Sequence, residues 1–117
     1  MVDNGPIHKR VPIAGSADLS FHGSEGNILT KAIISNVSLS GIAIYADREI
    51  EDGTDVSIDM NFIALNDVMK NTHVKGHVVY TREMGTFFFT GVEFTEEISS
   101  EKHHELYDYI QQALKWY

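Results

Sequence analysis

The chain has 117 residues, of which 43% are hydrophobic and 22% are charged, and it contains no cysteine. This length fits one domain with its own core, and the composition excludes a disordered or collagen-like chain. The missing cysteines exclude a disulfide framework and a thiolate metal site. With 17 acidic and 9 basic residues the formal net charge is −8, which works against binding DNA or RNA.

The first ten residues combine Gly5 and Pro6 with the basic triplet His8-Lys9-Arg10 and offer little to bury. Such a composition is typical of a flexible arm. We therefore expect an arm over residues 1–10 and a single domain over residues 11–117. The chain has no run of about 18 apolar residues, and its start lacks the apolar core of a signal peptide. We expect a cytoplasmic protein without membrane insertion.

Six segments have the pattern of β-strands, and residues 56–62 show it most clearly. There, apolar residues alternate without exception with Ser57, Asp59 and Asn61, which predicts one buried face and one wet face. The predicted strands cover residues 11–21, 28–35, 42–46, 56–62, 73–82 and 86–95. Their spacing of about ten residues favours an antiparallel barrel over a parallel α/β sheet, which would need a helix between strands.

One helix is predicted, at the C-terminus. Ser99 or Ser100 is suited to act as its N-cap, and Glu101 lies favourably against the helix dipole. Apolar residues then recur at three- and four-residue steps from Leu106 to Tyr117, so one stripe is expected to face the sheet. The sequence thus predicts an all-β fold with one C-terminal helix over residues 99–117.

Small polar residues at fixed offsets join the second and third predicted strands, in the segment Asn36-Val37-Ser38-Leu39-Ser40-Gly41. The side chains of Asn36 and Ser38 can bond main-chain groups and hold a tight turn, and Gly41 can take a positive φ without steric cost. Amides that point outward from such a turn, beside a hydroxyl and a carboxamide, would accept an anion or the edge of a base. The alternative is an ordinary turn that only organises a corner of the barrel.

Asn36, Ser38 and Gly41 also match the second motif of the PilZ domain family, and the chain resembles that family in its other landmarks. These follow in the family's order: Arg10-Val11-Pro12-Ile13, Val78-Val79-Tyr80, Phe89-Thr90-Gly91-Val92-Glu93-Phe94 and the C-terminal helix. The resemblance implies a six-stranded antiparallel barrel that binds the bacterial second messenger cyclic di-GMP. It assigns ligand binding to Arg10, Asn36, Ser38, Gly41, Lys9 and Tyr80.

The first motif of that family is incomplete here. It has two arginines separated by three residues; Arg10 matches the second, whereas the first would fall on Pro6. The arginines pair phosphate oxygens through a planar fork and lie against a guanine face. Losing one charged contact of this kind costs roughly 1.5–3 kcal/mol, or about ten- to a hundredfold in affinity. Lys9 or His8 would restore charge but not the fork.

Two functions remain open at this stage. The first is a receptor module that binds cyclic di-GMP and signals through contact with a partner protein, as small members of the family do in motility, adhesion or polysaccharide secretion. The second is a degenerate adaptor on the same barrel that does not bind cyclic di-GMP. An enzyme is not expected, because the sequence has no phosphate loop, serine elbow or cysteine nucleophile.

The individual site residues have plainer interpretations as well. Arg10 is equally a solvated residue at a strand edge, and an aromatic residue in the place of Tyr80 is more often half-buried core than a stacking platform. No metal site or other cofactor is expected. His73 and His77 share one strand face but lie too far apart for a compact metal site, and the consecutive histidines 103 and 104 point about 100° apart on a helix.

Overall fold

Seven strands and one helix make up the part of the chain that the computed structural model describes, residues 8–24 and 26–117. They are β1 (Val11–Pro12), β2 (Gly15–Gly23), β3 (Gly26–Val37), β4 (Gly41–Ala46), β5 (Asp55–Ile63), β6 (Met69–Met84), β7 (Phe87–Phe94) and α1 (His104–Ala113). Residues 1–7 of the predicted arm lie outside the described residues. His8, Lys9 and Arg10 have no regular secondary structure.

Strand pairing closes the sheet on itself. All pairs are antiparallel, the order is β3-β2-β5-β6-β7-β4, and β4 pairs back onto β3, so six strands form a ring. The short β1 adds to the end of β3. The predicted all-β fold with one C-terminal helix and a six-stranded antiparallel barrel is thereby confirmed. Closure also pairs Phe88 and Phe89 on both sides and Phe87 with β6, in an apolar run that would be an aggregation hazard at a free edge.

The core lies inside the ring and follows the period of two that the sequence shows. On β5 the buried side chains are Val56, Ile58, Met60 and Phe62, and the intervening residues reach the surface. Burying a side chain of this size contributes about 1.5–3 kcal/mol relative to leaving it exposed. The alternation therefore decides which face of each strand points outward, and with it which residues are free to form a surface site.

Helix α1 packs against the barrel through Leu106, Ile110 and Ala113, all fully buried. The ring of Tyr109 meets that of Phe62 edge-on, with centroids 5.9 Å apart. Its hydroxyl donates a hydrogen bond to the main-chain oxygen of Pro12 at 2.6 Å. Burial, and to a smaller extent Tyr117, raises the pKa of Tyr109. The helix is thereby tied to the segment that follows Arg10.

The helix is shorter than the predicted range 99–117. Ser99 starts a separate turn, in which its hydroxyl accepts a hydrogen bond from the main-chain N–H of Lys102 at 3.2 Å. The actual N-cap is His103, with φ −132° and ψ 50° and no side-chain capping bond. Beyond the helix, the N–H of Trp116 bonds the oxygen of Ala113, three residues back, which tightens the last turn. The serines thus mark a turn before the helix and not its start.

Two strand boundaries also differ from the predicted ones. The first predicted strand divides into β1 and β2 at residues 13 and 14, and β6 begins at Met69 instead of His73 because Met69 pairs with Ile63 of β5. Residues 69–72 therefore extend the ladder before the predicted start of this strand. Among the described residues, 8–24 and 26–117, no helix combines the length and apolar character needed to cross a membrane.

Candidate functional site

The turn from Asn36 to Gly41 is built around a buried serine. Ser38 is 1% exposed, and its Oγ accepts hydrogen bonds from the main-chain N–H groups of Ser40 and Gly41, each at 3.2 Å. Its own N–H bonds the oxygen of Gly41 at 2.8 Å. The Ser38 hydroxyl therefore organises the turn from beneath and does not present itself at the surface.

Gly41 is required for space and not for an unusual backbone conformation. Its φ is not positive, in contrast to the sequence-based expectation. A Cβ at this position would lie 2.6 Å from the main-chain oxygen of Val92 and 3.3 Å from Nη2 of Arg10. The missing side chain lets β4 and β7 approach each other and leaves room for the arginine above them.

Arg10 reaches this corner from the start of the chain. Its Nη1 donates a hydrogen bond to Oδ1 of Asn36 at 2.9 Å, and Nδ2 of Asn36 donates to Oγ of Ser35 at 3.1 Å. Strand β1 brings about this meeting, because Val11 pairs with Val37 at the end of β3. Arg10, Asn36 and Gly41 thus form one cluster, which we call the Arg10 corner.

Tyr80 lies on the same outer face as the Arg10 corner but at its far side. Asn36 is opposite Ala43, Ala43 is opposite Gly91, and Gly91 is opposite Tyr80, so these four residues form a row across β3, β4, β7 and β6. Asn36 and Tyr80, the two ends of the row, are three strand spacings apart, which is about 14 Å along the sheet. The Tyr80 ring covers Gly91 and is 36% exposed. Tyr80 is therefore a surface residue over a glycine and not part of the interior core.

Two further aromatic rings line this face beside Tyr80. The ring of Phe89 lies 5.0 Å from that of Tyr45 and 6.0 Å from that of Tyr80, measured between centroids. The sequence marks neither Tyr45 nor Phe89 as a site residue, although Phe89 begins one of the family landmarks. Each lies at an outward position of a strand whose residues alternate between inside and outside. Only the register of β4 against β7 shows that the two are neighbours.

Charge on the face is mixed. Lys9 is exposed, and within the described residues it forms no ion pair. Nε2 of His8 lies 3.0 Å from Oε2 of Glu97, which links the described end of the arm to the segment after β7. Glu93 is opposite Gly41 on the outer face and pairs with His77 at 3.1 Å.

Across residues 8–24 and 26–117, no group of three or more His, Cys, Asp or Glu side chains is arranged to hold a metal ion.

The geometry therefore combines most of the sequence-predicted residues on one outer face. The Arg10 corner lies at one end, and two residues without bulky side chains, Ala43 and Gly91, form the floor. Tyr80 stands at the other end, with Phe89 next to it. A guanidinium with free donors can bind phosphate, and the aromatic rings at the other end of the face can stack on bases.

Comparison with known proteins gives a consistent assignment. The family model described as PilZ domain matches residues 8–112, whereas no curated protein matches the chain. Among solved structures, the inhibitor of motility MotI/DgrA of Bacillus subtilis is similar with a TM-score of 0.68 and 13% identity, over 97% of this chain and 53% of that one. The chain thus spans about half of that protein's length.

A second similar structure is the PilZ domain with c-di-GMP of YcgR from Escherichia coli. The TM-score is 0.65 and the identity 11%, and the match covers 95% of this chain and 92% of that one. At such low identity the two likenesses show a shared fold. The family itself is shown by the match of its model to nearly the whole chain.

Proposed function

The chain belongs to the PilZ domain family, and from this premise we propose that it is a receptor module that binds cyclic di-GMP and signals through contact with a partner protein. In this proposal the module acts in the cytoplasm and carries out no catalysis. Its output is a change of surface that a partner recognises, in processes such as motility or biofilm formation.

The observation that carries the proposal is the meeting of Arg10, Asn36 and Gly41 at one corner. Arg10 uses Nη1 for its bond to Asn36, and a guanidinium has five N–H donors in a fixed fork. The remaining donors suit the two oxygens of a phosphate. Oδ1 of Asn36 accepts from Arg10 and has a second lone pair for a guanine N–H, and Gly41 gives clearance above the sheet.

The aromatic end of the face supports a ligand that carries bases. Tyr80, Phe89 and Tyr45 form a continuous set of rings, and stacking of a base on such a ring is worth about 1–3 kcal/mol. The YcgR domain, which has the same fold, was solved with c-di-GMP. We assign phosphate binding to Arg10 with help from Lys9, base-edge contact to Asn36, stacking to Tyr80, and support of the turn to Ser38.

Signalling follows from the way the N-terminal segment is fastened. His8 contacts Glu97, Arg10 contacts Asn36, and Pro12 accepts the bond from Tyr109 of α1. A ligand that binds the remaining donors of Arg10 would shift this side chain, and with it the middle one of these three contacts. The segment and the helix would then shift together and present a new surface to a partner.

A second candidate function is an adaptor that binds its partner without any nucleotide. Pro6 stands where the family's first motif has an arginine, and the guanidinium of Arg10 is already engaged by Asn36. Both features favour this second candidate. An exposed pair of aromatic residues, Trp116 at 80% and Tyr117 at 59% exposure, offers a contact surface at the end of the chain.

Calorimetric titration with cyclic di-GMP separates the two candidates. The receptor predicts saturable heat for the wild-type protein and a loss of about ten- to a hundredfold in affinity for Arg10→Ala. Arg48→Ala is the matched control, because Arg48 is an exposed arginine in the loop after β4 and its removal changes the net charge equally. No heat with the wild-type protein favours the adaptor. Equal affinity of Arg10→Ala and wild type contradicts the assigned site.

A further inference from the structure

Glu93 lies at the edge of the Arg10 corner. Val92 and Ile42 point into the barrel, so Glu93 and Gly41, which pair directly across β7 and β4, share the outer face. Nη2 of Arg10 is 3.3 Å from the Cβ position of Gly41. Because Cβ atoms of directly opposed residues lie about 4.5–5.5 Å apart, the Glu93 side chain starts no further than about 9 Å from the guanidinium.

The Glu93 carboxylate contacts His77 on β6. Nε2 of His77 lies 3.1 Å from Oε1 of Glu93, and the two side chains are 40% and 60% exposed. His77 is also opposite Asp55 on β5, so it stands between two carboxylates on one outer row. None of the ion pairs among the described residues joins Arg10 to Glu93. The carboxylate is therefore turned toward β6, although the guanidinium is on its other side.

An exposed pair of this kind opens readily. Surface ion pairs contribute little stability, in the range of about 0–1 kcal/mol, so the position of Glu93 beside His77 is only weakly preferred. A carboxylate and a phosphate use the same guanidinium donors, because both accept two parallel N–H bonds. A free Glu93 would thus compete with an anionic ligand for Arg10, and its charge would repel that ligand as well.

We propose that Glu93 is a built-in competitor for the anionic ligand of Arg10, and that His77 sets the affinity of the site by holding Glu93 aside. The inference rests on the proposed function, because the ligand is taken to be cyclic di-GMP. It adds a regulatory pair, on β6 and β7, to the assigned site.

A double-mutant cycle tests the proposal with cyclic di-GMP as the calorimetric titrant. At low ionic strength Glu93→Gln should bind about three- to tenfold more tightly than wild type, and His77→Ala should bind severalfold more weakly. The effect of His77→Ala should disappear once Glu93 is replaced, because the histidine acts only through the carboxylate.

Two matched controls lie on β6, the strand that carries His77. Glu83→Gln removes an equal charge six residues beyond His77, about 20 Å along β6. His73→Ala breaks a similar exposed pair, in which Nδ1 of His73 lies 2.8 Å from Oδ1 of Asp59. His73→Ala should leave the affinity unchanged, and Glu83→Gln should raise it by less than Glu93→Gln does, because its charge lies further from the guanidinium. Equal affinity of Glu93→Gln and wild type would overturn the inference and leave the receptor function standing, whereas no binding by any variant would overturn both.

A readout without ligand tests the competition directly. The side-chain Nε–H resonance of Arg10 should move in His77→Ala, because the released Glu93 then pairs with the guanidinium. It should return to its wild-type position in the His77→Ala/Glu93→Gln double variant. An Arg10 resonance that is the same in wild type and His77→Ala would show that Glu93 does not reach the arginine, and would end the proposal whatever the titrations give.

Discussion

Arg10 and Asn36, 26 positions apart in sequence, are joined by a hydrogen bond of 2.9 Å from Nη1 to Oδ1. The bond is possible because the two residues of β1 pair with the last two of β3. Arg10 is therefore held at the corner by a contact within the protein itself. A ligand of Arg10 would bind donors that are already in position. Because no arginine on a free chain has to become ordered, less entropy would be lost on binding.

Arg10→Lys separates the guanidinium fork from its charge. Lysine keeps the positive charge but lacks the planar arrangement of donors that binds two phosphate oxygens at once. We expect the affinity for cyclic di-GMP to fall by about tenfold or more in calorimetry. The control is Arg48→Lys, which should bind as wild type does. Full affinity in Arg10→Lys would mean that only the charge matters.

Ser38→Ala should lower stability more than it changes ligand contacts. The hydroxyl of Ser38 is buried and accepts two main-chain N–H bonds, and leaving such donors unsatisfied costs about 1–3 kcal/mol. Urea unfolding should show this loss, whereas Ser57→Ala on the half-buried outward face of β5 should show little. If Ser38→Ala has wild-type stability and no ligand affinity, the serine acts on the ligand and not on the turn.

Gly91→Ala tests the position of Tyr80. A Cβ at residue 91 would collide with the Tyr80 ring, so the substitution should destabilise the protein by about 1–3 kcal/mol. Tyr80→Ala in the same chain should recover most of that loss, because the ring is what the new methyl group meets. Gly15→Ala is the control: its Cβ would collide with the backbone of β5, and Tyr80→Ala should not relieve it. If the effects of the two substitutions on the free energy of unfolding simply add, the Tyr80 ring does not lie over residue 91.

His103 should make the fold less stable in acid. Burial lowers the pKa of His103, Lys102 lowers it further, and Glu96 opposes both. As the pH falls below the ordinary histidine value of about 6.5, the unfolded chain takes up a proton before the folded one. The contribution of His103 is thus fully present above that pH and is lost as the pH falls through the lowered folded-state pKa.

Urea unfolding above and below a pH of about 6.5 shows whether acid lowers the free energy of unfolding as expected. His103→Gln should lose less stability than wild type on acidification, because glutamine does not titrate. The neutral ring also accepts the N–H of Ser99 through Nδ1 at 3.3 Å, a bond that protonation would break. The same acid dependence in both proteins would assign it to other groups.

The strands were predictable because each is a local pattern. Alternation of apolar residues places Val56, Ile58 and Met60 inside without knowledge of the neighbours. The helix start was not predictable in this way. Ser99 has the chemistry of an N-cap, and only the conformation of His103 shows that a separate turn comes first.

The site could be predicted only in part, for a similar reason. Arg10, Asn36 and Gly41 are marked by residue type and spacing, and the structure brings them together. The burial of Ser38, the set of rings that includes Tyr45 and Phe89, and the pairing of Glu93 with His77 depend on the register between distant strands. Register is a long-range property that no short window of sequence contains.

An NMR titration of the amide spectrum with cyclic di-GMP tests the central claim most directly. We expect the amides of Gly41, Ala43 and Gly91 to shift together and saturably, because they lie between Arg10 and Tyr80 on one face. The amides of Ser57 and Lys75, which are opposite each other on β5 and β6, should stay in place. An unchanged spectrum, or shifts confined to Ser57 and Lys75, would contradict the proposed receptor site.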